Sequence, residues 1–333
     1  MGNNVKNCTA EEFIKLCLVD DCIGFWENLR DWEGNDFGGI YYSEKGLPDP
    51  DWYGYQLYNF HEALWNIQRL KFSHIPELKN NSDYEYNKKK SVGWQYVRVL
   101  SNTDKSIRLG SDSIMNIYWH TCNERVLMEQ LKDNKEQKQY TNALEEVEKL
   151  NSFTKEIRKY NKNAYKSDWK KFIWLYLQKA NTIGGFILFP KHDLPNINSE
   201  RGNKSGKIRD RFDLTLECIR RYYQTKDDNP LFDVLKEDKD FFRMFGEGKA
   251  GFEKYAEFFC LNGSWVENGK VLNLLYNDEN KDKTGRNAKT LDEWDFSQEP
   301  LPNSAEWWTF YCNIMNRLDA RNRQIKEIIE KSL

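Results

Sequence analysis

The chain has 333 residues, room for one large domain or for two at the usual prior of about 150 residues each. Its 50 Lys and Arg nearly balance its 52 Asp and Glu, and the net charge of -2 excludes a surface dressed throughout for phosphate, though not a local basic patch. Aromatic residues reach 15% and no apolar run approaches the ~18 residues of a membrane-spanning helix, so the composition is that of a folded, non-membrane protein.

The first residues, Met1 to Asn7, are polar and predict no secretory leader, and Lys6 stands where a myristoylation signal needs Ser or Thr. Thr9 and Glu12 form a capping box ahead of a short amphipathic helix carrying Phe13, Ile14, Leu16 and Cys17. Residues 33–54 hold five glycines and read as a loop region flanked by Trp32, Trp52 and Tyr53. Leu57, Phe60, His61, Leu64 and Trp65 then predict a helix over 55–67.

Between 70 and 120 the helical period is lost. Trp94–Leu100, Ser106–Leu109 and Ile114–Trp119 read as strands of a small antiparallel sheet, with Asn102–Asp104 and Gly110–Asp112 as turns. Beyond Cys122 the chain turns helical. Residues 140–160 step by three and four, and Ser167 can cap a helix carrying Trp169 and Phe172. Ile183–Phe189 is a short apolar strand stopped by Pro190, and 191–210 reads as loop. Helices are expected at 211–224, 231–245, 252–261 and 303–331, with a loop over 277–302. The fold class is α+β: a small, mainly antiparallel sheet in the N-terminal half and a predominantly helical C-terminal half. The best junction divides 1–121 from 122–333, either as two subdomains or within one compact unit.

Seven cysteines, odd in number and without a Cys-x-x-Cys pair, suit a reduced cytoplasmic protein with buried thiols. The four histidines, His61, His74, His120 and His192, show no metal-ligand spacing. His61 lies beside an apolar stripe and reads as a structural, hydrogen-bonded histidine, or as a general base if the fold brings Asp213 or Ser113 close. Gly246-Glu247-Gly248-Lys249-Ala250-Gly251 matches a dinucleotide fingerprint by letter, but helical spacing precedes it where a strand is required.

The most informative segment is Arg201-Gly202, then Lys207–Tyr223. Wound as a helix, residues 211–223 place their apolar side chains on an arc of roughly 200°, and Asp213, Glu217, Arg220 and Arg221 share a stripe of about 100°. A helix so apolar is mostly buried, so the stripe faces water, a cleft or its own partners. Arg201, Lys204, Lys207, Arg209 and Arg211 cluster just upstream. The stripe could hold a divalent cation or set arginines against phosphate; the alternative is a face laced by intrahelical ion pairs.

Thr182–Pro190, Arg201-Gly202 and Asp210–Tyr223 resemble a family of uncharacterised bacterial proteins known as a domain of unknown function. The similarity runs on through Asn229-Pro230-Leu231 and Phe241-Phe242, and more loosely includes His61, Trp65 and Ser111-Asp112-Ser113. The resemblance implies no activity. It draws attention to Arg201-Gly202, Asp213, Glu217 and Arg220.

Two functions follow as expectations. In the first, a cytoplasmic bacterial protein binds or processes a nucleotide or nucleic-acid phosphate group, as a nuclease, toxin or phage-defence effector. Asp213, Glu217 and His61 would then carry the chemistry, with Mg or Mn held by Asp213 and Glu217. Arg201, Gly202, Arg211, Arg220, Arg221, Ser111 and Ser113 would hold the ligand. The alternative is a non-catalytic module that binds a protein partner, a second copy of itself or a small ligand, since no complete catalytic motif is present.

Overall fold

The computed structural model describes residues 54–80, 97–100, 106–114, 182–192, 194–204, 207–278, 284–302 and 306–332. The expected N-terminal helix, the glycine-rich region 33–53, Trp94–Tyr96, residues 115–119 and the helices read within 140–177 lie outside these residues.

Helix α1 (Gly54–Lys71) runs further than its apolar period and ends on Arg69 and Lys71, cations that suit the negative end of the helix dipole. It buries Phe60, Leu64 and Trp65. The Asn66 side chain exchanges two hydrogen bonds of 3.1 Å with the backbone of Leu78, which docks the first strand. Four strands follow: β1 (Leu78–Asn80), β2 (Val97–Leu100), β3 (Ser106–Ser113) and β4 (Phe186–Pro190), antiparallel and in chain order across the sheet.

Two expectations change here. Gly110-Ser111-Asp112 is strand, where a turn was expected. These residues lie opposite Phe189, Leu188 and Ile187, and pairing with a strand far along the chain overrides their local turn preference. The apolar run before Pro190 opens as a 3-10 turn, Ile183–Gly185, and only then becomes strand. The sheet thus joins residues on both sides of the junction read near 121.

Helix α2 (Phe212–Tyr223) is buried at every position except Tyr222. The stretch read as one helix over 231–245 is two, α3 (Phe232–Glu237) and α4 (Lys239–Arg243), broken at Asp238. Aspartate is a poor helix-interior residue, and this one turns toward His192, 3.4 Å away. Helix α5 (Gly248–Phe258) begins on glycine. Strands β5 (Val266–Glu267) and β6 (Lys270–Val271) form a hairpin through Asn268 and Gly269, both at positive φ of 53° and 73°. Helix α6 (Trp307–Ser332) buries Phe310, Tyr311, Ile314, Met315, Leu318, Ile325 and Ile329, a stripe at helical spacing.

The described core is continuous and rich in rings, with Trp65 edge-on to Phe258 at 4.7 Å and Phe212 edge-on to Trp265 at 4.9 Å. The α+β class stands. Among the described residues no helix is long and apolar enough to cross a membrane.

Candidate functional site

The ionic stripe of α2 faces inward and is consumed by its own partners. Arg211, the residue before the helix, donates Nε to Asp213 Oδ1 at 3.0 Å and Nη2 to Asp213 Oδ2 at 2.5 Å. The Leu274 backbone N–H donates to the same carboxylate at 3.0 Å. One turn on, Glu217 accepts from Arg220 through both oxygens, at 2.8 and 2.7 Å, and from Arg221 Nε at 2.8 Å. Asp213 and Glu217 are both 0% exposed. Every hydrogen bond they accept here comes from an arginine or a backbone N–H, and neither carboxylate opens onto solvent. Among the described residues no group of three or more His, Cys, Asp or Glu is arranged to hold a metal ion.

The arginines are equally committed. Arg221 also donates to the Trp294 carbonyl at 2.8 Å and pairs with Asp228 at 3.1 Å. Arg220 reaches Asp292 at 3.1 Å. Burial pulls the Arg220 guanidinium down, but the Glu217 carboxylate and then Asp292 outweigh it and leave it above its ordinary value.

Arg201 lies at the kink where the chain leaves a helical turn, Ile197–Ser199, and bends at Gly202. It is fully buried. Its Nη1 donates to Asp112 Oδ2 at 2.5 Å and to the Ser113 carbonyl at 3.1 Å, and its Nη2 donates to the Asp210 carbonyl at 3.1 Å. Arg201 therefore bolts the basic loop to β3. Asp112 is the residue that sequence reasoning missed: its neighbours Ser111 and Ser113 were candidates, yet Asp112 carries the charge that Arg201 needs. Ser113 takes part through its backbone.

His61 reaches the same strand. Its Nε2 lies 3.0 Å from Ser111 Oγ. Ser111 and Asp112 are consecutive in a strand, so their side chains leave opposite faces of the sheet. The His61 and Arg201 neighbourhoods share a strand and not a pocket. Burial, and then the charge of Arg321, push the His61 imidazole down to about 3. At neutral pH it is a hydrogen-bonding ring with almost no appetite for a proton.

One cation of the basic loop differs from the rest. Arg209 and Asp210 both have positive φ, 50° and 56°, a left-handed conformation that side-chain-bearing residues rarely adopt. The Asp210 N–H donates to the Arg201 carbonyl at 2.6 Å, so the strained turn is clamped from below. Arg209 itself is half-buried, forms no ion pair with another described residue, and has a buried Nε without a hydrogen-bond partner. The sequence shows the cluster of five cations but not that Arg209, unlike Arg201 and Arg211, forms no ion pair with another described residue. His192 and Asp238 form a second pair that spacing could not reveal, lining a small cleft of about 280 Å³.

A family model described as a family of unknown function (DUF6994) matches residues 147–325, more than half of the chain. No match is found among curated proteins or among solved structures.

Proposed function

The chain belongs to that family of unknown function, and we propose that it binds the phosphate group of a nucleotide or nucleic acid at the loop 207–211, in a sensing role. The observation that carries this reading is Arg209. A half-buried guanidinium on a strained turn, with no ion pair to another described residue, is the kind of group that a phosphate or carboxylate pairs with. Arg201 and Arg211 support the reading as a frame: both are fully committed to the protein and hold the two ends of the turn rigid.

Sensing is preferred to turnover on two counts. Asp213 and Glu217 are saturated by arginine and backbone donors. The imidazole beside Ser111, at about 3, is too weak a base to carry a proton through a cycle at neutral pH. A reducing bacterial cytoplasm fits the buried Cys218 and Cys260, whose thiols burial pushes up, the second to about 11.

Thermal denaturation with pyrophosphate, nucleotides and short RNA or DNA tests the reading. A ligand at 100 times its dissociation constant stabilises the native state by about 2.7 kcal/mol. The midpoint should rise with at least one phosphate probe, and Arg209→Ala should abolish the rise while leaving the unliganded midpoint nearly unchanged. A rise that survives Arg209→Ala removes the loop from the reading. Light scattering on the purified chain examines the other expectation, a second copy or a protein partner.

A further inference from the structure

A second recess lies at the far end of α2 from the basic loop. It has a volume of about 510 Å³, within the range of small-molecule sites, roughly 300–1,000 Å³. Tyr222, the single residue of α2 that is not buried, opens onto it. The Phe242 and Phe232 rings stand beside Tyr222 with centroids at 5.5 and 6.2 Å, tilted by 57° and 61°. Rings packed at such angles make a rigid platform.

The recess is also lined by Gly246 and Glu247, from the turn after α4, and by Gly248, the first residue of α5. Gly246 has a φ of 106°, which the turn requires. Gly251 has no room for a side chain, since a Cβ would stand 2.7 Å from the Gly246 carbonyl and 2.8 Å from the Tyr223 ring. Gly248 is neither crowded nor packed: a Cβ there would meet nothing within 4 Å. At Gly246 and Gly248 the lining of the recess is bare backbone, which a flat ligand can approach closely. At the rim Arg243 and Glu247 stand 3.9 Å apart, largely exposed, so donors and acceptors sit side by side.

We infer that this recess binds a planar heterocycle of the nucleobase type, with its face on Tyr222 and its polar edge toward Arg243 and Glu247. Aromatic platforms stack bases of every kind, and a base edge carries both donors and acceptors, which a guanidinium beside a carboxylate complements. A purely apolar ring would leave that rim unanswered. The inference is independent of the phosphate loop, because α2 rises about 1.5 Å per residue and separates the two sites by most of its length.

Calorimetric titration of the full chain with adenosine, guanosine, cytidine and uridine tests it. None of these carries a phosphate, so Arg209→Ala should leave their binding unchanged whether or not the loop binds phosphate. At least one nucleoside should bind saturably. Tyr222→Ala should weaken it about tenfold or more, while Tyr222→Phe keeps the ring and the affinity. Gly248→Asn should abolish binding by filling the recess, and asparagine tolerates the left-handed backbone there. If Tyr222→Ala fails to fold, Gly248→Asn gives the decision alone. Absence of binding by all four nucleosides at millimolar concentration overturns the inference. So does binding that survives Gly248→Asn, or equal binding of tryptophan, which lacks the edge of a base.

Discussion

Helices α2 and α6 both bury arginines, and they do so in opposite ways. On α2, Arg220 and Arg221 face Glu217, and Arg211 just ahead of the helix faces Asp213, so each positive charge has a carboxylate within hydrogen-bond distance. On α6, Arg317 and Arg321 donate to carbonyls, and Arg317 also lies over the Trp265 ring. Arg321 donates to Phe259 at 3.1 Å, Gly184 at 2.8 Å and Phe186 at 2.7 Å, and Arg317 donates to Ser264 and Asn273. Burial draws both α6 guanidiniums down to about 10, while Arg220, less deeply buried and paired with carboxylates, rises. A buried arginine can thus serve as one half of a neutral lattice or as a charged brace across backbone ends. The two uses fail differently when broken.

The largest effect is expected on α2. Glu217→Ala removes the buried carboxylate that Arg220 and Arg221 share, leaves them only the more exposed carboxylates of Asp292 and Asp228, and should cost about 3 kcal/mol in urea unfolding, the low end of the penalty for a buried charge that loses its partner. Replacing Glu217, Arg220 and Arg221 together by apolar residues of similar volume should cost far less. Equal losses in the single and triple variants would abolish the distinction drawn here.

Arg321→Met comes next, at about 1–3 kcal/mol: it loses hydrogen bonds to three carbonyls but also relieves a desolvated charge. A loss exceeding that of Glu217→Ala would reverse the order of the two regions.

The third effect depends on pH. His61 titrates near 6.5 when unfolded but only at about 3 in the native protein. Between those values the unfolded state binds the extra proton, so stability is full above 6.5 and falls as pH drops toward 3. From pH 6.5 to 5 the loss should be about 1.7 kcal/mol, since the slope reaches its full value of about 1.4 kcal/mol per unit only below the unfolded value. His61→Asn should flatten that slope, and a slope unchanged in the variant would assign it to other groups.

Smallest of all is the exposed pair Lys71–Glu257, 2.5 Å apart but 67% and 41% exposed. Lys71→Ala should change stability by less than about 1 kcal/mol and lose even that in high salt. Comparison with Glu217→Ala then isolates the contribution of burial.

What could be read from the sequence divides by distance along the chain. Helices α1, α2 and α6 are visible because their apolar residues repeat every three or four positions. The near-complete burial of α2 follows from an apolar arc too wide for a surface helix. The fate of its charges could be narrowed to water, a cleft or internal partners, and no further. Asp228 and Asp292 complete the lattice through loops whose paths no local pattern encodes. Asp112 shows the same limit: Gly110-Ser111-Asp112 has turn chemistry, and only β4, supplied much later in the chain, makes it a strand. Asn268-Gly269 is the opposite case. The hairpin signal is present in the letters, but the strands it joins have two residues each, too few for an alternation to stand out.

The Arg321 brace also orders events during synthesis. Together with Asn322, whose Oδ1 accepts from the Gly184 N–H at 2.7 Å, it meets the polar groups of residues 184–186 from 135 or more positions downstream. Gly184 is glycine because a Cβ there would stand 2.5 Å from that same oxygen. As the chain leaves the ribosome, Phe186–Phe189 is complete long before the residues that cap its entry turn. The most apolar strand of the sheet is therefore synthesised well before the residues of α6 that close its entry turn.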